Sequence, residues 1–324
     1  MNNRGRIFVV GSANMDMVLR VPRFPHSGET LAGSDLDLFP GGKGANQACA
    51  AARLGGDVRF VGCVGSDVFG TQLLESLREA SVDISRVRTV SRATGCASIY
   101  VAPNGQNSIV ISPGANAGVS FEHVGDALQD LNSSDFVLLQ LEIPFETVRL
   151  TLEKAKSVGA TSLFDPAPAR KLDRGVLQLV GLLTPNQTEA GILLERDDIA
   201  EEQEDGDLIR LASETLKLGP ASVIFKLGEA GCAICSDGSA TRVGAYPVKA
   251  VDTTGAGDVF NGALAVALAE GRSMPAAAQF ANAAAALSVT RPGAQSSIPT
   301  RDDVDKFVEK NPAVEVRDLL AVRR

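Results

Sequence analysis

Short apolar runs alternate with amphipathic stretches along most of the chain, and this alternation predicts the order of its elements. Strands are predicted at 7–10, 58–65, 136–139, 161–164, 181–184, 222–226 and 232–235. Helices are predicted at 69–80, 121–131, 147–158, 174–179, 208–218 and 274–290. Because strands and helices follow one another in turn, the pattern indicates an α/β fold: a central, mostly parallel β-sheet with helices on both faces.

Two stretches interrupt this rhythm with shorter alternating runs. Residues 17–40 contain such runs broken by proline and glycine, and 95–101 and 107–112 flank a turn-forming Pro-Asn-Gly sequence as a β-hairpin. These pieces predict a small β-sheet lid, built from segments at about 12–40 and 94–113, over a site or at a dimer surface. With this lid, residues 1–324 are expected to form a single domain.

Composition and charge narrow the class of protein. No apolar run is long enough for a membrane span, and the amino terminus lacks the apolar core of a signal peptide. A net charge of −8, with no tryptophan and two tyrosines, argues against a nucleic-acid partner. The acidic run at 201–207 is expected to be a solvated loop, and the charged segment 301–324 to pack outside the main fold. The sequence therefore predicts a cytoplasmic protein that binds neither membranes nor nucleic acids.

The cysteines favour buried thiols over disulfides, because they are odd in number and lie mostly inside apolar runs. They are Cys49, Cys63, Cys96, Cys232 and Cys235. The last two form a CxxC sequence. Without a second pair or a nearby histidine this is weak evidence for zinc, and the run around it also fits a strand.

A glycine-punctuated loop with two aspartates, VDTTGAGDVFNG at 251–262, runs directly into an alanine-rich helical pattern. A helix that begins near Gly255 to Asp258 would direct free backbone N–H groups and the positive end of its dipole at an anion such as phosphate. Asp258 would repel that anion unless it accepts a proton from an attacking hydroxyl group. The alternative is that Gly255, Gly257 and Asp258 only form a tight turn and an N-cap.

A second glycine loop, PGGKGANQA at 40–48, leads into another predicted helix. Its backbone can approach a ligand closely, while Lys43 supplies positive charge and Asn46 supplies paired amide groups. Asn14 and Asp16 follow the first strand, and their spacing places both side chains on one face of an extended chain. Turn formation is an alternative explanation for both motifs.

Polar residues also collect just past three other predicted strands, at 140–142, 165–168 and 184–189. Because the carboxyl ends of parallel strands meet at one edge of a sheet, these residues are expected to line one common cleft. Asn186 and Glu189 lie one helical turn apart. That spacing suits a hydrated Mg²⁺ ion beside nucleotide phosphates.

Seven stretches together resemble the ribokinase-like family of sugar and nucleoside kinases, over nearly the whole length of the chain. They are GSANMD at 11–16, GGKGANQA at 41–48, QLEIP at 140–144, DPAPAR at 165–170, TPNQTEA at 184–190, VDTTGAGDVFNGAL at 251–264 and AAAALSVTRPGAQ at 283–295. The resemblance implies a β-sheet lid that also forms a homodimer contact. It further implies transfer of the γ-phosphoryl group of ATP to a primary hydroxyl group of a sugar.

The resemblance also assigns roles to individual residues. The sugar would be bound by Asn14, Asp16, Gly42, Lys43, Asn46 and Glu142, with Asp258 as the general base. The anion hole would be formed by the backbone N–H groups of Gly255, Ala256 and Gly257. ATP would contact Asn186, Lys226, Leu227, Gly228, Glu229, Gly231, Gly257 and Asn282.

Two kinds of metal ion are implied in addition. Mg²⁺ would be organised by Glu189 through water. K⁺, as an activating monovalent cation near the anion hole, would be bound by Asp252, Thr254, Ser288, Arg291, Gly293 and Ser297, several of them through backbone carbonyl groups. Lys226 departs from the family pattern, which commonly has a small hydroxyl residue at this position.

Ribose is the substrate that the resemblance favours. Asn14 matches family members that read the 2-hydroxyl group, because this position tends to be apolar in deoxyribose-preferring relatives. The expected reaction is ATP-dependent phosphorylation of D-ribose at its 5-hydroxyl group, which gives ribose 5-phosphate and ADP. The alternatives are a kinase of the same fold for another pentose or a nucleoside, such as deoxyribose or inosine, and a sugar-binding regulator without catalysis.

Overall fold

The structure, a computed structural model, describes residues 5–196, 205–236, 238–311 and 314–319. Strands in these residues are β1 Ile7–Val10, β2 Asn14–Arg20, β3 Asp37–Gly41, β4 Val58–Gly65, β5 Asp83–Val90, β6 Gly95–Val101, β7 Asn107–Ser112, β8 Phe136–Leu139, β9 Thr161–Phe164, β10 Leu182–Leu183, β11 Ser222–Lys226, β12 Cys232–Ser236, β13 Ser239–Val243 and β14 Val316–Leu319. The α-helices are α1 Lys43–Arg53, α2 Val68–Glu79, α3 Phe121–Ala127, α4 Phe145–Val158, α5 Arg174–Leu177, α6 Gln187–Leu194, α7 Asp205–Leu216, α8 Ala256–Ala269, α9 Met274–Ser288 and α10 Arg301–Lys310.

Ten strands form the central sheet, in the order β14-β13-β12-β11-β10-β9-β8-β1-β4-β5. The strands from β11 to β5 in this order are parallel, whereas β12, β13 and β14 add antiparallel pairs at one edge. The loops after the parallel strands therefore meet at one edge of the sheet, which is where ligands bind in folds of this kind. The predicted fold class is confirmed.

Both faces of this sheet are covered, and β1 shows why its sequence is a continuous apolar run. Ile7 and Val9 belong to a core shared with α1, α8 and α9, whereas Phe8 and Val10 belong to a core shared with α3, α4 and α7. All four side chains are fully buried. A strand buried on both faces has no position left for a polar side chain.

A separate four-stranded sheet, in the order β3-β2-β6-β7, is built from the two segments that the sequence assigns to a lid. β2 and β6 pair in parallel, and β3 and β7 flank them in antiparallel fashion. Large apolar side chains of this sheet and the chain beside it are between 37% and 63% exposed: Leu36, Leu38, Phe39, Ile109, Val110 and Ile111. They lie on both faces of the sheet, and so many exposed apolar side chains are typical of an interaction surface.

The sequence-based strand prediction fails mainly at the edges of the central sheet, where it misses β5 at one edge and the β13–β14 pair at the other. β14 belongs to the segment 301–324, part of which therefore joins the sheet. The loop expected at 201–207 is wrong at its end, since α7 begins at Asp205, whose carboxylate pairs with Arg242 and Arg317 at 3.2 and 2.7 Å. Residues 201–204 lie outside the described residues.

The cysteines are free, and the strand interpretation of the CxxC sequence is confirmed because both residues lie on β12. Burial raises the pKa of the Cys232 and Cys235 thiols to about 12. Within the described residues, no group of three histidine, cysteine or acidic side chains is placed to hold a metal ion. The same part of the chain contains no helix that is long and apolar enough to cross a membrane.

Candidate active site

The loop before α8 and the first turn of that helix form the centre of the site. Gly255 precedes the helix in the left-handed conformation, with φ of +74°, which glycine adopts without steric cost. The first turn of a helix carries backbone N–H groups without intrahelical partners. The Ala256 N–H donates to the Thr253 carbonyl oxygen at 3.2 Å. This hydrogen bond closes a tight turn and Gly255 is the N-cap, as the structural alternative predicts, but Asp258 lies within the first turn and its side chain makes no capping hydrogen bond.

Two amide groups of α1 hold the Asp258 carboxylate, which is buried at 5% exposure. Asn46 Nδ2 donates to Asp258 Oδ2 and Gln47 Nε2 donates to Asp258 Oδ1, each at 3.0 Å. Asn46 Oδ1 is buried and has no hydrogen-bond partner in the described part of the chain. Because buried polar atoms are normally paired, this oxygen is a free acceptor for a ligand hydroxyl group.

Opposing effects of burial and of neighbouring charges set the pKa values of Asp258 and Lys43. Burial raises the pKa of Asp258, Lys43 lowers it and the Asp165 carboxylate raises it, with a net upward shift. The ionised carboxylate is therefore a stronger base than an exposed aspartate. Burial lowers the pKa of Lys43, but the surrounding carboxylates, of which Asp258 has the largest effect, outweigh burial and raise it. Lys43 therefore stays charged.

A second carboxylate lies next to Asp258 on the other side of Gln47. Asp165 follows β9, and its Oδ2 accepts from the same Gln47 Nε2 at 3.1 Å. Its Oδ1 accepts from Lys226 Nζ at 2.8 Å, and Glu189 Oε2 lies 3.9 Å from that nitrogen. Burial raises the pKa of Glu189. Residues from α1, β9, α6, β11 and α8 therefore form one connected polar cluster.

Asn14 and Asp16 lie on β2, so extended chain replaces the turn that the alternative explanation required. Asn116 Nδ2 donates to Asn14 Oδ1 at 2.7 Å, which fixes the orientation of the Asn14 amide. Burial, with the charges of Glu142 and Asp258, raises the pKa of Asp16 to about 7. The Asp16 carboxylate therefore titrates near neutral pH.

The glycines of the 41–44 loop allow a close approach of the chain to this strand. A Cβ atom at Gly41 would lie 2.2 Å from Asp16 Oδ2, and one at Gly44 would lie 2.6 Å from the Ser12 backbone nitrogen. Glu142 Oε2 ties the loops together, because it accepts from Ser12 Oγ at 2.5 Å and from the Lys43 backbone N–H at 3.0 Å. The loop is therefore more than a helix start, since it places Lys43 and Asn46 beside Asp258.

Two adjoining cavities open at the start of α8. The larger, of about 830 Å³, has apolar walls that include Tyr246, Pro247, Phe260 and Val289. The smaller, of about 270 Å³, contains charged side chains: Lys43, Asp165, Glu189, Lys226 and Asp258. The two cavities share Lys226, Gly228, Thr253, Ala256 and Gly257. One apolar and one charged compartment in contact fit a base and its phosphates.

The residues assigned to a monovalent cation come from two segments that the structure brings together. Asp252 Oδ2 accepts from the Gly293 N–H at 2.8 Å, and Asp252 Oδ1 accepts from the Thr254 N–H and hydroxyl groups at 2.9 and 2.7 Å. The hydroxyl groups of Ser288 and Ser297 donate to nearby backbone carbonyl oxygens. The Asp252 carboxylate thus links the two segments.

Residues 4–301 match the family described as pfkB family carbohydrate kinase. The ribokinase of Haemophilus influenzae is 42% identical over 307 residues, which cover 94% of this chain and 99% of that protein. The chain belongs to the pfkB family of carbohydrate kinases. The family resemblance seen in the sequence is therefore confirmed, and the chain is a sugar kinase.

Solved structures of pfkB-family ribokinases share the fold. The ribokinase of Thermotoga maritima is 43% identical, with a TM-score of 0.84 over 94% of this chain and 99% of its own. The ribokinase of Arabidopsis thaliana, solved in complex with ribose and ATP, is 33% identical, with a TM-score of 0.85 over 95% of this chain and 99% of its own. Nearly all of this chain therefore shares the fold of these two ribokinases.

Some residues assigned from the family pattern do not face the cavities, and others that matter were not assigned. The Leu227 side chain is buried in the core, and Arg291 pairs with Asp303 at 3.5 Å. Gln47 and Asn116 hold assigned residues in place but are absent from the sequence-based site, and Asp165 is expected from the sequence to line the cleft without an assigned role. Gln47 and Asp165 stand inside the quoted family motifs, which is the signal that could have identified them.

Proposed function

We propose that the chain transfers the γ-phosphoryl group of ATP to the 5-hydroxyl group of D-ribose, giving ribose 5-phosphate and ADP. The observation that carries this proposal is the buried Asp258 carboxylate at the start of α8, held by two amide groups beside a charged cavity. Relatives that are named ribokinases and match nearly the full length support ribose as the acceptor.

Asp258 acts as the general base in this proposal. The 5-hydroxyl oxygen attacks the γ-phosphorus, its proton passes to the Asp258 carboxylate, and the bond between the γ-phosphorus and the bridging oxygen of ADP breaks. The raised pKa of Asp258 favours the proton transfer. Asn46 Nδ2 holds one carboxylate oxygen, and its unpaired Oδ1 can accept from a sugar hydroxyl group.

Charge that develops on the transferred group would be stabilised at the start of α8. The backbone N–H groups of Gly255 and Gly257 supply donors there, and the helix dipole favours an anion. The Ala256 N–H has to leave the Thr253 carbonyl oxygen before it can add a third donor. Lys43 stays charged in the same cavity and adds positive potential.

The larger cavity is the proposed place of the nucleotide. Its apolar walls suit the adenine ring, while Lys226, Gly228 and Gly257 at the junction of the two cavities suit the phosphates. Asn282 lines the same cavity, and its side-chain Nδ2 donates hydrogen bonds to the Val243 and Gly244 carbonyl oxygens. Asn186 and Glu189 line the charged cavity.

Mg²⁺ and K⁺ complete the proposed reaction. Asp165 and Glu189 line the charged cavity, and their carboxylates would accept hydrogen bonds from the water ligands of an ATP-bound Mg²⁺ ion. Such an ion would supply positive charge to neutralise the phosphates. Asp252, held to the second segment by the Gly293 N–H, would bind K⁺ together with backbone carbonyl groups around Ser288 and Gly293. The proposed compartment is the cytoplasm, where ATP is available.

A coupled assay of ADP release across a sugar and nucleoside panel tests the proposed function. We expect release that depends on D-ribose and Mg²⁺ and increases with K⁺. Equal rates of ADP release with inosine or 2-deoxyribose would favour the related kinase instead. Binding of ribose without ADP release would favour the non-catalytic regulator.

Replacement of Asn14 with leucine is expected to change the choice of sugar. Its amide is fixed by Asn116 beside Asp16, where it can read a ring hydroxyl group. We expect kcat/KM for ribose to fall by about 10- to 100-fold, because a buried polar contact to the 2-hydroxyl group is lost, whereas 2-deoxyribose changes by less than about threefold. Steady-state kinetics with both sugars measures this, and equal losses would contradict the assigned role.

Ribose affinity is expected to depend on pH through Asp16. Only the ionised carboxylate accepts two hydrogen bonds from sugar hydroxyl groups, and with a pKa of about 7 it is protonated as the pH falls. We expect ribose to bind about tenfold more weakly at pH 6 than at pH 8. Calorimetric titration without ATP measures this, with Asp16→Asn as the control that binds weakly at both pH values. Equal affinity of the unaltered protein at both pH values would refute the role.

The small sheet, whose exposed apolar side chains lie on both of its faces, is the proposed homodimer contact. Six large side chains there, including Phe39 and Val110, remain exposed in the single chain. Their burial against a second copy would remove apolar surface from water and place the two lids in contact. Sedimentation equilibrium is expected to give about twice the chain mass of 33.7 kDa.

A further inference from the structure

Lys226 places an ammonium group where the two cavities meet, close to the start of α8. A Cβ atom built at Gly257 would lie 3.4 Å from Lys226 Nζ, so the side chain reaches the glycine loop that faces the proposed phosphoryl group. The Lys226 side chain is only 13% exposed. A long charged side chain this well buried needs a partner in every state of the protein.

That partner is Asp165 in the structure. The Lys226 ammonium lies 2.8 Å from Asp165 Oδ1 and 3.9 Å from Glu189 Oε2. The Asp165 side chain is 3% exposed, and its second oxygen accepts from Gln47. Gln47 uses the same nitrogen to hold Asp258. Lys226 is thus connected to Asp258 through Asp165 and Gln47.

The triphosphate of ATP would offer the Lys226 ammonium a stronger anionic partner than the Asp165 carboxylate. Triphosphate oxygens carry more negative charge than one carboxylate, and a lysine is a compact, flexible point charge that can change partners by rotating its side chain. Asp165 keeps the contact to Gln47 when the ammonium leaves. The released carboxylate would also remain beside Lys43, whose pKa it helps to raise.

We propose that Lys226 is a catalytic residue that leaves Asp165 to bind the transferred phosphoryl group of ATP, with Asp165 as the positioning residue that holds the ammonium until then. This inference rests on the proposed phosphoryl transfer. It assigns Lys226 to the γ-phosphoryl group, because its nitrogen lies beside Gly257 and Asp165 where the two cavities meet.

The first test compares two ligands of the protein. One is ADP, and the other is an ATP analogue with a methylene group in place of the β–γ bridging oxygen, both titrated with Mg²⁺ present. Asp165→Asn removes the competing charge, and it should tighten binding of the analogue about threefold more than binding of ADP. The double variant Lys226→Met/Asp165→Asn leaves no unpaired buried carboxylate. It should bind the analogue at least about tenfold more weakly than Asp165→Asn, with ADP changed by less than about threefold.

The second test measures turnover in the same variants. At saturating ATP and ribose, kcat of the double variant is expected to fall about 100-fold below that of Asp165→Asn, as for other losses of a charge-stabilising donor. Lys310→Met, at an exposed position on α10, is the matched control and should leave both measurements unchanged.

Three outcomes would overturn the inference: an equal loss of ADP and analogue affinity, which places Lys226 at another phosphate; unchanged analogue affinity; or kcat within about threefold of Asp165→Asn. Unchanged analogue affinity would leave Lys226 as a structural partner of Asp165. Failure of the unaltered protein to release ADP with ribose would instead refute the proposed function, and the two binding titrations would still decide the role of Lys226.

Discussion

Replacement of Asp258 with asparagine is expected to lower kcat by about 10³-fold while ribose and ATP continue to bind. The substitution preserves the size of the side chain but removes the group that takes the proton. The side-chain oxygen of the asparagine can still accept a hydrogen bond from either Asn46 or Gln47. Its NH₂ group then faces the other of these two donors. The positioning of both substrates is therefore largely retained, and the chemical step is lost.

Single-turnover kinetics and calorimetric titration separate these two effects. We expect dissociation constants for ribose and the ATP analogue within about threefold of the unaltered protein. The acid limb of the kcat profile of the unaltered protein should lie above the ordinary aspartate pKa, because burial raises the pKa of Asp258. Asp302→Asn changes a carboxylate that is 73% exposed and serves as the control. Near-normal turnover of the Asp258→Asn protein would show that another group accepts the proton.

The centre of the fold could be predicted from the sequence because its strands are buried on both faces. β1 is fully apolar, as expected of a strand that is buried on both faces of a parallel sheet. β5 is different: it lies at the edge of the sheet with only β4 beside it, and its sequence DISRVRTV mixes charged and apolar positions. An edge strand buries fewer side chains, so its hydrophobic pattern is weaker.

The site could be predicted only as far as its motifs extend. Asn46 and Asp258 stand in recognisable glycine loops, and the structure brings them within 3.0 Å although they are 212 residues apart. Asp165 contacts Gln47 on one side and Lys226 on the other. These residues belong to different strands and helices, and no local sequence pattern encodes how those elements are placed relative to one another. Tertiary packing therefore decides which polar residues near the strand ends become partners.

The packing of α1 against α8 is the clearest case, and it leads to a prediction at Gly262. This glycine lies one helical turn after Asp258, on the face of α8 that meets α1. A Cβ atom at Gly262 would lie 2.8 Å from both Ala50 Cβ and the Gln47 carbonyl oxygen, and 2.9 Å from the Ala51 nitrogen. These neighbours belong largely to the backbone of a buried helix, so they cannot move aside independently.

Gly262→Ala is therefore expected to push the two helices apart and to cost about 1–3 kcal/mol of unfolding free energy, although alanine is the better helix former. The same shift would separate Gln47 and Asn46 from Asp258, so we expect kcat to fall by at least about tenfold, since small misplacements of reacting groups are costly. Urea denaturation and steady-state kinetics measure the two effects in one preparation.

Gly125→Ala provides the matched control for this prediction. Gly125 is also inside a helix, α3, but a Cβ atom there meets nothing within 4 Å. The same substitution should therefore stabilise the protein by about 0.5–1 kcal/mol and leave kcat unchanged. If both alanine variants were equally stable and active, close contact of α1 with α8 could not be what holds Gln47 against Asp258. A loss at Gly262 alone, in stability and turnover together, would show that the helix crossing fixes the geometry of the base.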